Sequence, residues 1–188
     1  RELLTNAEAQ RVNMAPGLAE LIHEHIQKHR HEVPPILKLV AKAIKASGAK
    51  RFTADKVSLK EANIGWTGDN FNQHFLGKVE ENVPDAMFAI HCLEKQLLDA
   101  QIRKELGQDE EITLTHFFDL LKKQSKGEKG HLLVNGYANI AYICDKDGTL
   151  WVVHAYWRSG LREWDVGADS VGGPLGWGAG RQFISCDC

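Results

Sequence analysis

Apolar residues recur at helical spacing through the first two thirds of the chain. Leu18, Leu21, Ile22 and Ile26 form a stripe along one helical face, which ends before the prolines at positions 34 and 35. The same spacing predicts a helix over 36–46 and a longer one that begins at the proline at position 84 and ends at Gly107. Shorter helices are predicted after position 58, after position 69 and over Leu114–Lys123. The pattern therefore predicts a helical region over residues 1–126.

From residue 131 onward the periodicity becomes that of β-strands. β-branched and aromatic residues fill 137–144, 149–157 and 162–166, with Asp147-Gly148 and Ser159-Gly160 between them. If both dipeptides are two-residue turns, the three runs form an antiparallel meander. Helices first and sheet last predict an α+β protein, in which the helical region 1–126 packs as one unit on an antiparallel β-sheet region, 131–188.

Tight turns sort the side chains of the predicted meander onto two unlike faces. The apolar face is predicted to pack on the helices and consists of Ile140, Tyr142, Val153, Ala155, Trp164 and Val166. The opposite face is polar and consists of Asn139, His154, Tyr156, Glu163 and Asp165, with Arg158 at its edge. In this register His154 lies directly opposite Asp165. An imidazole beside a carboxylate is half of the arrangement that activates a nucleophile.

The polar face supports two hypotheses. The first is a binding or interaction protein without catalysis, for another protein or a small polar ligand. Its contact surface would be the glycine-rich loop 167–180 together with Asn139, Tyr156, Arg158, Glu163 and Trp177. The alternative is a small hydrolase-like enzyme with His154 and Asp165 as catalytic residues. The sequence identifies no nucleophile for it, because Cys92 lies inside a predicted helix without a neighbouring cation to lower the pKa of its thiol.

Charge adds a third hypothesis. The net charge of −2 argues against a chain built mainly to hold nucleic acid. Residues 36–60 nevertheless concentrate seven Lys and Arg residues against a single acidic one, Asp55. Their helix–glycine–helix pattern is similar to a winged-helix or helix-turn-helix unit, so DNA binding through this segment is a further alternative.

The remaining patterns predict neither a cofactor nor a metal. The four cysteines include no C-x-x-C pair, which favours a reducing, cytoplasmic setting. His25 and His29 lie one helical turn apart, but the third ligand that a metal site needs is not identifiable. No apolar run reaches the roughly 18–20 residues that cross a bilayer, so a membrane partner is not expected.

Overall fold

Strands rather than helices dominate the architecture. The structure, a computed structural model, describes Gly17, Glu20 and residues 35–174 and 176–187. Strands account for 41% of the described residues and helices for 22%, and the predicted N-terminal helical region is not supported. The prediction of an α+β protein with a helical region packed on a C-terminal meander is therefore wrong. The elements all lie in the compact unit Ile36–Cys188.

Nine strands and four helices lie in the part of the chain that the structure describes. The strands are β1 (Leu37–Ala46), β2 (Ala49–Thr53), β3 (Ile64–Thr67), β4 (Val79–Val83), β5 (Ala86–Leu93), β6 (Asn139–Cys144), β7 (Leu150–Arg158), β8 (Glu163–Ser170) and β9 (Gln182–Cys186). The helices are α1 (Lys56–Glu61), α2 (Asp69–His74), α3 (Asp99–Leu106) and α4 (Leu114–Lys123), with a 3-10 turn at Gly107–Asp109.

Seven of the strands form one mixed sheet in the order β1-β5-β9-β6-β7-β8-β3, and β2 pairs with β4 separately. Within the large sheet, β6 pairs with β9 and β3 with β8 in parallel, and the other neighbours are antiparallel. The predicted division at residues 126–131 does not separate helices from sheet, because β1, β3 and β5 precede it. The last of the described strands, β9, lies inside the sheet, between β5 and β6.

Two strands explain why helical spacing misled the sequence analysis. In β5, Phe88, Ile90 and Leu93 are all fully buried, and a short apolar run that is buried on both faces of a sheet resembles a buried helix. In β1, the pairing with β5 shifts twice between Leu39 and Ile44. Such irregularities reset the alternation of side chains, so the exposed lysines Lys38, Lys42 and Lys45 recur at intervals typical of a helix.

The other helix predictions had mixed outcomes. The predicted helix Leu114–Lys123 is confirmed, and the Thr113 side chain caps it by accepting a hydrogen bond from the His116 amide. A short helix does form near position 58, but its cap is Asp55 and it begins before Ser58. The helix predicted after position 69 does form, but it spans only Asp69–His74. The first predicted helix, which would carry His25 and His29, lies outside the described residues.

The basic segment 36–60 forms β1, β2 and most of α1, so its predicted helix–glycine–helix unit is wrong. Some of its charges are also paired, as Lys45 Nζ lies 2.8 Å from Asp85 and Arg51 Nη1 lies 2.6 Å from Glu81. The DNA-binding hypothesis thereby loses the motif that supported it. Among the described residues, no helix is long and apolar enough to cross a membrane.

Both faces of the large sheet are buried. One face packs against residues of α2 and α4, including Phe71, Phe117 and Leu121. The other face packs against Ile102 and Leu106 of α3 and against Trp177, which follows β8. The candidate site lies on this second face.

Candidate functional site

The first turn of the meander contains three residues rather than two. Asn139 lies opposite Ala155, and Cys144 lies opposite Leu150. The Asp145 amide donates to the Thr149 carbonyl at 2.8 Å, and Gly148 has a φ of +81°. This is a three-residue hairpin loop with glycine in the left-handed position, and it shifts the predicted register by one residue.

The one-residue shift moves β6 relative to β7. Asn139 shares a face with Ala155 and is fully buried, where its side chain donates to the Leu133 carbonyl at 3.0 Å. Its predicted place on the polar face is wrong. Ile140 and Tyr142, which were predicted to lie on the apolar face, lie instead on the face of His154.

The second turn of the meander contains four residues, because Arg158 lies opposite Glu163. This error in the predicted register is two residues, and side chains alternate with a period of two, so the faces of β7 and β8 are unchanged. His154, Tyr156, Arg158, Glu163 and Asp165 therefore share a face, as predicted.

His154 has a different carboxylate partner from the predicted one. It lies opposite Gly167, and its Nε2 is 3.2 Å from Oδ2 of Asp169. Asp165 lies opposite Tyr156 instead, and its Oδ2 is 3.2 Å from Nη1 of Arg158. The imidazole–carboxylate pair exists, but Asp169 supplies the carboxylate.

The His154 ring is held among aromatic groups. It lies 5.2 Å from the Tyr156 ring and 5.6 Å from the Trp177 ring, measured between centroids. Its edge lies so close to Gly167 that a Cβ there would overlap Cε1. The Nδ1 atom is buried and has no hydrogen-bond partner among the described residues. Of the two ring nitrogens, Nε2 is therefore the one that has a partner, the Asp169 carboxylate.

Electrostatics favour the charged form of Asp169. The hydrogen bond from His154 holds the pKa of this carboxyl below its usual value, against a smaller opposing effect of burial. Burial raises the pKa of the neighbouring Tyr156 hydroxyl, although Arg181 opposes that rise. Asp169 is accordingly an anion at neutral pH, while Tyr156 is a neutral hydroxyl.

The loop after β8 is pinned by a buried carboxylate. Oδ1 of Asp99 accepts from Trp177 Nε1 at 3.0 Å and from the Tyr142 hydroxyl at 2.9 Å, and Asp99 is 4% exposed. The backbones of Trp177 and Leu97 also exchange two hydrogen bonds, at 2.8 and 3.0 Å. These hydrogen bonds therefore hold Trp177 in a fixed position beside the site.

Two adjacent hollows of about 350 Å³ each meet at Asn70 and Asp169. The His154 hollow is lined in addition by Trp66, Gly68, Asp69, His154, Gly167 and Ala168. The Trp177 hollow is lined in addition by Asp99, Ser170, Gly173, Pro174, Gly176, Trp177 and Arg181. The side-chain amide Nδ2 of Asn70 donates to the Ala168 carbonyl at 3.0 Å, which fixes the start of α2 against β8.

Four of the predicted binding residues take different places relative to these hollows. Trp177 lines one of them, and Tyr156 contacts the His154 ring in an edge-to-face arrangement. Glu163 lies against Gly65 of β3, where a Cβ would overlap its carboxylate. Arg158, paired with Asp165, lies outside the lining of both hollows.

No pattern in the sequence predicts Trp66, Asp69 or Asp169 as residues of the site. Asp169 lies four residues beyond Asp165, and only the correct turn lengths bring it beside His154. Trp66 and Asp69 come from β3 and α2, about a hundred residues earlier in the chain, so no local pattern joins them to the meander. In the described part of the chain, no cluster of three or more His, Cys, Asp or Glu side chains has the geometry to hold a metal ion.

Comparison of the chain with protein families, with curated proteins and with solved structures found no match.

Proposed function

We propose that this chain is a binding protein whose His154 hollow takes a small polar ligand that carries a positive charge. The observation that carries the proposal is the combination of two carboxylates with an exposed indole. Asp69 and Asp169 line the hollow, and Trp66 beside them is 52% exposed. No Lys or Arg is among the described residues that line it.

These groups suit an ammonium or guanidinium ion. A carboxylate attracts a cation directly, and the face of an indole ring adds about 0.5–2 kcal/mol when the cation is partly desolvated. Trp66 and the carboxylates line the same hollow, so one ligand group is able to contact both. An anionic ligand would instead meet two negative charges and is disfavoured.

Binding accounts for the geometry of His154 better than catalysis does. A general base needs a free ring nitrogen that faces the reacting group. Here Nε2 lies against Asp169, and the other nitrogen is buried. The described lining also contains no Ser, Thr or Cys that could act as a nucleophile. His154 is better suited to orient Asp169, and its hydrogen bond keeps that carboxylate charged.

The neighbouring Trp177 hollow extends the proposed surface. Arg181 and the glycine-rich segment line it together with Asp99 and Asp169, so it offers a place for a neutral polar part of the same ligand. A partner protein with a Lys or Arg side chain would present the same cationic chemistry. A cytoplasmic location stays a prediction.

The test compares two ligands that differ only in charge. Choline carries a quaternary ammonium, and dimethylbutanol is its neutral carbon isostere. By isothermal titration calorimetry we expect choline to bind at least about tenfold more tightly, which corresponds to about 1.4 kcal/mol. Equal binding of the two compounds, or no binding of either one, would contradict the proposal.

Variants assign the binding to the hollow. Trp66→Leu and Asp169→Asn should each weaken choline binding about three- to tenfold, because each removes one attractive contact. Leu161→Ala and Asp147→Asn are the matched controls, since both residues are exposed and lie in turns of the meander outside the lining. A similar loss in the controls would place the binding elsewhere.

A further inference from the structure

A separate cleft lies on the sheet face that carries the two hollows, at the end of α3. It has a volume of about 360 Å³ and shares no lining residue with the two hollows. Its lining residues are Leu37, Leu39, Ala89, His91, Glu105, Leu106, Asp109, Ser185, Cys186 and Asp187. Strands β1, β5 and β9 form its floor, and the last turn of α3 forms one side.

A serine and a histidine meet on the floor of this cleft. Ser185 on β9 lies opposite Ala89, and His91 on β5 lies opposite Phe183, so the two are diagonal neighbours. Oγ of Ser185 is 3.1 Å from Nε2 of His91 and 3.3 Å from the carbonyl oxygen of Cys186, so rotation of the hydroxyl directs its proton to one or the other. A hydroxyl within hydrogen-bonding distance of an imidazole nitrogen is the pairing that activates a serine nucleophile.

The surroundings of His91 suit a general base. Burial lowers the pKa of its imidazole, while Glu105 and Asp187 oppose that change. The ring is therefore neutral at neutral pH and able to accept a proton. Both carboxylates would then stabilise the imidazolium that forms when the proton arrives.

Both of these carboxylates are fixed in place. Glu105 accepts from the amides of Ile36 and Leu37 at 3.1 and 2.8 Å, and Asp187 accepts from the amide of Ala43 at 2.7 Å. A charge that is already held in position costs little reorganisation when the imidazolium forms.

From this geometry we infer that Ser185 and His91 form a nucleophilic site that transfers acyl groups from neutral esters. Oγ of Ser185 attacks the ester carbonyl as its proton passes to Nε2 of His91. The carbon–oxygen bond of the ester then breaks, and the departing alcohol takes that proton. Water attacks the resulting acyl-serine with His91 again as the base, which releases the carboxylic acid and restores the serine.

The lining indicates the class of substrate. Leu37, Leu39 and Leu106 offer an apolar wall for a short acyl chain. Three carboxylates surround the cleft, from Glu105, Asp109 and Asp187, so phosphate esters and other anions are disfavoured. A small neutral ester meets both conditions.

The site can be tested with an uncharged fluorophosphonate, which forms a stable adduct with activated serines. We expect one adduct per chain by intact-mass spectrometry, located on Ser185 by peptide mapping of the unsubstituted protein. The labelling rate should fall as pH drops and the imidazole becomes protonated. The mapping does not depend on whether any variant folds. Absence of an adduct on Ser185, or a rate independent of pH in the acid range, would overturn the inference.

Variants add a second line of evidence. His91→Asn should slow labelling at least about a hundredfold, since general-base catalysis contributes factors of about 10²–10⁴. Ser185→Ala should abolish labelling, whereas Ser159→Ala, at an exposed serine in the second meander turn, should label like the unsubstituted protein. Unchanged labelling of folded His91→Asn would show that the histidine does not activate the serine. Because the clefts are separate, Ser185→Ala should leave choline binding intact.

Discussion

At the scale of single residues, Asp145 determines the length of the first meander turn. Its Oδ1 accepts from the amides of Asp147 and Thr149, each at 2.9 Å, and its Oδ2 accepts from Trp151 Nε1 at 2.9 Å. Oδ2 also lies 3.1 Å from Nδ1 of His74. These bonds close a three-residue loop around one buried carboxylate, so the register of β6 against β7 depends on this side chain.

We predict that Asp145→Asn destabilises the protein by about 1–3 kcal/mol, because the amide cannot accept all of these hydrogen bonds. Urea unfolding followed by tryptophan fluorescence measures the change. Asp147→Asn is the control, since Asp147 is exposed in the same turn. An equal loss of stability in the two variants would contradict the assigned role.

The same variant should change the acid dependence of stability. Burial alone raises the pKa of Asp145, but the hydrogen bonds more than offset it and leave the pKa lowered. A lowered pKa in the folded state stabilises the protein above the unfolded value of about 3.9, and this contribution is lost as pH falls through the folded value. Asp145→Asn should therefore lose less stability on acidification below about pH 4.

Gly167 determines where the His154 ring lies, because any side chain at residue 167 would occupy the space of the imidazole. We predict that Gly167→Ala turns the ring away from Asp169. The pKa of Asp169 should then rise toward its ordinary value, since the hydrogen bond from His154 is what lowers it. Carbon-detected NMR titration of the Asp169 carboxyl measures the shift. Gly160→Ala, where a Cβ meets nothing within 4 Å, is the control. An unchanged titration in Gly167→Ala would contradict the prediction.

At the scale of elements, each turn differs in length from its prediction by an odd or an even number of residues. This difference explains which parts of the site the sequence predicts correctly. The second turn differs by two residues from its predicted length, so the shared face of His154, Tyr156 and Asp165 is correct. The first turn differs by one, so Asn139 and Tyr142 exchange faces. Hydrophobicity did not reveal the error, because α3 covers the second face and both positions are buried.

The loop between β8 and β9 depends on α3 through Asp99. We predict that Asp99→Ala lowers the free energy of unfolding by about 2–4 kcal/mol, since the Trp177 and Tyr142 donors lose a buried acceptor. The loop should also become more sensitive to limited proteolysis within 171–181. Lys104→Ala, an exposed position on the same helix, should change neither property. Unchanged protease resistance in Asp99→Ala would show that other contacts hold the loop.

At the scale of the whole molecule, the sequence predicts the local elements better than their arrangement. Strands β6, β7 and β8 and helix α4 follow from local periodicity and turn residues. The pairing of β9 with β5 does not, because it joins segments about ninety residues apart and depends on which surfaces remain uncovered. The His154 hollow also depends on pairing between distant segments, since Trp66 and Asp169 come together only after β3 pairs with β8.

The position of β9 between β5 and β6 has a consequence for biosynthesis. The strands β5 and β6 that flank it are translated well before it and do not pair with each other. Until residues 182–186 leave the ribosomal exit tunnel, a nascent chain holds two halves of a sheet with facing open edges. Because exposed edges invite association with other chains, this interval is when the protein most needs a chaperone.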